Sequence, residues 1–134
     1  MTKSLWYRLF RLGGIPRRRR PELEAEGIVL ADEGIPGWLV TRRLRGPGTR
    51  YRYRGQGFAG SVVVTRSRVL CFAFGNKLVD VPFSDPRMAA LEVAAPAAGR
   101  LTISFEAATF RDGWKGRMEL RLSTPLASRF RDIL

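Results

Sequence analysis

Hydrophobic and polar positions alternate with period two in several short stretches of this chain, and that alternation predicts a mainly β protein. Leu101-Thr102-Ile103-Ser104-Phe105 puts three apolar side chains on one strand face and two hydroxyls on the other. Gly116–Leu122 does the same, with Met118, Leu120 and Leu122 set against Arg117, Glu119 and Arg121. Asp112-Gly113 supplies the hairpin turn between them. Upstream, Ser61–Thr65, Val69–Phe74 and Leu78–Phe83 are rich in the Val, Leu and Phe that suit a pleated, half-buried surface. The polar link Thr65–Arg68 and the dipeptide Gly75-Asn76 join these runs into a three-stranded antiparallel meander. The expected core is Val62, Val64, Leu70, Phe72, Leu101, Ile103, Phe105, Met118, Leu120 and Leu122. Thr102, Ser104, Arg117, Glu119 and Arg121 should face outward, since a one-residue slip would exchange the two sets.

Fainter patterns complete the outline. Gly27–Leu30 reads as a first strand, Ile35-Pro36-Gly37 as a turn, Trp38–Leu44 as a strand and Arg45-Gly46-Pro47-Gly48 as a second turn. In Arg50–Arg54 every arginine shares one face, and Tyr51 and Tyr53 are expected to turn inward from the other. Leu91 and Val93 suggest a short strand ended by Pro96. Thr124 as a hydroxyl cap, Pro125 at the first helical position, and Leu126, Phe130, Ile133 and Leu134 on one face predict a C-terminal helix, Pro125–Ile133. Ser4–Leu12 predicts a short amphipathic helix, with Leu5, Trp6, Leu9 and Phe10 as its apolar stripe, ended by Gly13-Gly14-Ile15-Pro16. Gly55–Gly60 matches G-x-G-x-x-G but runs into a strand, whereas a dinucleotide fingerprint must open a helix. Glycines that let a strand bend are the better account.

Charge changes the picture more than composition does. The net charge is +12, and it is unevenly placed. Residues 1–20 carry seven basic groups and no acid, residues 21–40 five acids and no base, and residues 41–54 six arginines and no acid. Such clustering favours polyanionic partners. The basic run Arg17, Arg18, Arg19 and Arg20 with the stripe before it can be a solvated tail, a segment packed on its own domain, or an anchor at an anionic interface. Near such a surface each arginine is worth about 1 kcal/mol. Cys71 stands alone, so no disulfide framework exists; it reads as a small buried apolar residue and fits a reducing compartment. No apolar run approaches the ~20 residues of a membrane-spanning helix.

About seven short strands with hairpin connections, followed by one helix, resemble a pleckstrin-homology-like (PH-like) barrel. The wording is similar to bacterial PH-like and GRAM-like domains, which pair a V-x-x-T-x-x-R-V/L segment, here Val62–Leu70, with a strand ending in a VPF-type tag, here Val81-Pro82-Phe83. The resemblance spans Gly27–Leu134. It implies a seven-stranded antiparallel, partly open barrel capped by the C-terminal helix. Residues 1–21 are read as a basic amphipathic N-terminal segment and 22–134 as the PH-like domain. It also implies an anion or lipid site on the first strand pair, where Arg43, Arg45, Arg50 and Arg52 lie. The tryptophan of the eukaryotic terminal helix is absent from Thr124–Leu134, so the resemblance is to the superfamily and not to its phosphoinositide-reading branch.

Nothing points to catalysis. The chain has no histidine, the commonest general base, and no G-x-S-x-G segment; its acids after residue 60 are scattered. The expectation is a non-enzymatic cytoplasmic binding module without cofactor or metal, peripheral at the inner membrane face. Leu5, Trp6, Leu9 and Phe10 would contact lipid, and Arg17–Arg20 with Arg43, Arg45, Arg50 and Arg52 would hold anionic head groups. An acidic protein partner ranks second. Nucleic acid ranks third, for want of a recognition helix or a set of aromatic and cationic groups sharing one exposed face.

Overall fold

The computed structural model describes residues 19–74 and 76–134. The expectations on Leu5, Trp6, Leu9, Phe10, Arg17 and Arg18, and the helix at Ser4–Leu12, lie outside the described residues. The chain forms helix α1 (Arg20–Glu26) and strands β1 (Ile28–Gly46), β2 (Thr49–Thr65), β3 (Arg68–Ala73) and β4 (Asn76–Pro82). Strands β5 (Glu92–Ala97), β6 (Arg100–Glu106) and β7 (Lys115–Ser123) follow, then helix α2 (Ala127–Ile133). The seven strands make one sheet in the order β4-β3-β2-β1-β7-β6-β5, which leaves β4 and β5 as edges, so the sheet is not closed. One departure from expectation concerns continuity: Ile35-Pro36-Gly37 is no turn but the middle of β1. Gly55–Gly60 lies inside β2, in keeping with its reading as strand glycines. Two compact units divide the described residues, one holding the chain up to Pro36 with Phe58–Met88, the other Gly37–Gly57 with Ala89–Leu134.

In the first unit the register pairs Val62 with Cys71 and Val64 with Val69, and Val63 with Leu70. Leu70 and Phe72 therefore occupy the face opposite to Val62 and Val64, yet all four are buried. The reason is α1, which the alternation did not reveal. Pro21 in its first turn has no N–H to lose, Glu22 complements the exposed amide dipoles there, and Gly27 takes φ +87° beyond its end. Its single buried side chain, Leu23, packs on Val63, Leu70 and Phe72. Burying one leucine contributes about 1.5–3 kcal/mol. The Thr65–Arg68 link closes tightly because Thr65 Oγ1 accepts the amides of Ser67 and Arg68 at 3.2 and 3.1 Å.

In the second unit β1 pairs with β7 from Gly37 onward, and β7 with β6, so Leu39, Leu120 and Ile103 share one face with Leu101, Leu122, Met118 and Phe105. All are buried, Leu39 in addition to the six that were expected to be. Helix α2 packs on β5 and β6 and buries Ala127 and Phe130 completely. It begins two residues later than expected, because Thr124 Oγ1 accepts the Leu126 amide at 3.1 Å and holds Pro125-Leu126 in a turn. Leu126 thus stands before the helix and is only half-buried, and Ile133, in the last turn, is exposed. Ser104 also departs from expectation. It points outward but is buried, because Arg117 donates to its hydroxyl at 3.2 Å and ion-pairs with Glu92 and Glu106 above it.

Candidate functional site

The β1–β2 hairpin of the second unit concentrates the arginines. Its turn is Pro47-Gly48, proline presetting φ and Gly48 taking φ +68°. Just before the turn, Arg42 pairs with Arg117 and Arg45 with Lys115, so three steps along β1 oppose two along β7: a β-bulge. Arg43 occupies the extra position in the left-handed region, at φ +53°. Opposite it stands Gly116 at φ +109°, where an added Cβ would lie 2.5 Å from the Arg43 carbonyl oxygen. Only glycine fits there. The bulge breaks strict alternation, so Arg42 and Arg43 both face solvent before Leu44 returns to the core.

Arg43, Leu44, Arg45, Arg50, Tyr51 and Arg52 line one concavity of about 180 Å³. That is below the roughly 300–1,000 Å³ of enclosed small-molecule pockets, and it suits a small anionic group approached from solvent. All four arginines expected from sequence are brought together there. No ion pair with a described acid engages any of them, and no acidic residue occurs from Gly34 to Val79. Uncompensated guanidiniums so close raise the local potential and draw anions in.

Tyr51 and Tyr53 do not turn inward. They are 37% and 59% exposed, because the first half of β2 is solvated on both faces. The Arg42 guanidinium lies 5.9 Å from the Tyr53 ring centre. That of Arg54 lies 4.7 Å from the Tyr51 ring centre and donates to the Tyr51 hydroxyl at 2.6 Å. Aromatic and cationic groups therefore do share an exposed surface, which removes one ground for ranking nucleic acid last.

Arg19 and Arg20 lie elsewhere, in the first unit. Arg19 precedes α1, and Arg20 opens it and ion-pairs with Glu33. Sequence reasoning missed the strongest charge cluster, which is also in that unit. Arg68 donates to Glu26 at 2.6 and 2.9 Å, to Glu22 at 2.9 Å and to Asp80 at 3.1 Å. Hydrogen bonding to Arg68, against a smaller effect of burial, holds the Glu26 carboxyl below its usual range, and the same bonds raise the Arg68 pKa. Burial pushes Asp80 upward, but Lys77 and Arg68 together outweigh it and hold the carboxyl low. These groups staple α1 to β3 and β4. The available signal was the Pro-Glu start of α1 with Gly27 after it, which places Glu22 and Glu26 one helical turn apart.

Against known proteins the chain matches no family model, no curated protein and no solved structure.

Proposed function

We propose that this chain is a non-enzymatic PH-like binding module that meets an anionic membrane surface peripherally through its β1–β2 hairpin. The carrying observation is the concavity lined by Arg43, Arg45, Arg50 and Arg52, none paired to a described acid. The strand order and the C-terminal helix agree with the PH-like reading, and a chain without histidine agrees with binding rather than general-base chemistry. No described helix is long and apolar enough to cross a membrane, so on this reading contact is made by surface side chains. Arg19, Arg17 and Arg18, with the Leu5–Phe10 stripe, would add a second contact.

Co-sedimentation with phosphatidylserine-containing and pure phosphatidylcholine vesicles tests this. The intact protein should pellet with the anionic vesicles only. Replacing Arg43, Arg45, Arg50 and Arg52 together by alanine should remove about 4 kcal/mol, close to a thousandfold in affinity. Equal binding by that variant, or no pelleting of the intact chain, overturns the proposal. An acidic protein partner then takes first place.

A further inference from the structure

Beside the arginine-lined concavity runs a second feature that the head-group reading does not use. Trp38 is 46% exposed, and its indole lies flat over Gly55 and Gly57 of β2. A Cβ on Gly55 would fall 2.6 Å from the indole nitrogen, so the missing side chain is what lets the ring lie down. Gly55 and Gly57 follow Tyr51 and Tyr53 at two-residue intervals, so all four belong to one face of β2. Trp38, Tyr53 and Tyr51 thus form an exposed aromatic stripe, and Tyr51 also lines the concavity. Arg42 and Arg54 stack on its two tyrosines.

Resting on the membrane reading above, we infer that this stripe is seated in the interfacial layer of the same anionic bilayer. The indole and phenol rings would lie among the upper acyl chains and the arginines among the phosphates. Tryptophan and tyrosine prefer this layer because each has an apolar body and a polar tip. Charge complementarity selects an anionic occupant, since Arg42 and Arg54 join the four arginines of the concavity in a segment without acid. Stacked bases are the competing occupant, and they require open ring faces. Here a guanidinium of the same chain already lies over each tyrosine ring, and that of Arg54 also donates to the Tyr51 hydroxyl. That arrangement favours an interface over a base stack.

The test uses the full chain with Trp6→Phe and Trp114→Phe, so that Trp38 is the sole tryptophan, and vesicles of phosphatidylserine and phosphatidylcholine with brominated acyl chains. At saturating vesicles, confirmed by pelleting of the same sample, Trp38 emission should shift to the blue and be quenched at least twofold. Bromine placed high in the chain should quench more than bromine placed deep. Separately, Tyr53→Ser should weaken binding to anionic vesicles about tenfold while circular dichroism stays unchanged. Pelleting with unchanged Trp38 emission overturns the seating and leaves the head-group reading intact. Absence of pelleting overturns both. Quenching of Trp38 by oligothymidylate without vesicles, absent with the brominated lipid, overturns the seating in favour of base stacking.

Discussion

Two groups of arginines in this molecule face opposite fates. Arg68, in the first unit, is surrounded by Glu22, Glu26 and Asp80, and its side chain is only 17% exposed. Arg43, Arg45, Arg50 and Arg52, in the second, line a concavity and have no acidic partner among the described residues. The first group is consumed by the fold: it fastens a seven-residue helix too short to persist alone. The second group contributes nothing visible to folding and remains available to something outside. On the proposed reading, the same side chain serves the fold or recognition according to whether the chain supplies its counter-charge.

The comparison can be broken experimentally. The apolar reference comes first: Phe130→Ala, which removes the fully buried side chain of α2, should cost about 3–5 kcal/mol in urea unfolding. A loss under about 1 kcal/mol would mean that α2 does not close the second unit's core. Arg68→Ala should cost about 2 kcal/mol, because it leaves the mostly buried Glu26 carboxylate without its cation, while Asp80 keeps Lys77. Arg52→Ala should change stability by less than about 0.5 kcal/mol. Equal effects at the two positions would erase the distinction between the groups.

Gly116→Ala sharpens the contrast by attacking the bulge and not the charges. The φ of +109° and the 2.5 Å approach to the Arg43 carbonyl should make it cost about 2 kcal/mol. Vesicle binding should weaken with it, as Arg43 loses its presentation.

The smallest effect is acid sensitivity. Glu26 and Asp80 are both held below their ordinary values of 4.5 and 3.8 in the folded state. Their stabilisation is therefore complete above those values and is lost as pH falls through the lower folded ones. Unfolding free energy should decline below about pH 4.5, and more gently in Arg68→Ala. Identical acid limbs would deny Arg68 its role.

The sequence made some of this legible and hid the rest for definable reasons. Alternation correctly grouped Leu101, Ile103 and Phe105; charge counting marked the six arginines of residues 41–54, and the PH-like resemblance singled out the four that share the concavity. Alternation says which side chains share a face, however, and not whether that face is covered. Val62 and Leu70 were rightly expected to be buried, though they lie on opposite faces. Only α1, with one buried residue and hence no apolar period, explains why both are covered. The same limit misplaced Tyr51 and Tyr53: their common face was right, its burial was not. Pro36 looked like a turn because proline often marks one, yet β1 runs through it and takes β7 as partner from Gly37.

Cys71 gives the fold a built-in clock. It is the chain's single thiol, it is buried in β3 between β2 and β4, and desolvation pushes its pKa up to about 12. A thiol that is both enclosed and protonated cannot attack a thiol reagent, because the thiolate is the reactive species. Labelling at neutral pH must therefore wait for the strands around it to open. The rate of modification of the unaltered protein then reports how often that part of the sheet comes apart. A second cysteine placed on the surface would react at once, so a dye could be attached there while Cys71 stayed silent.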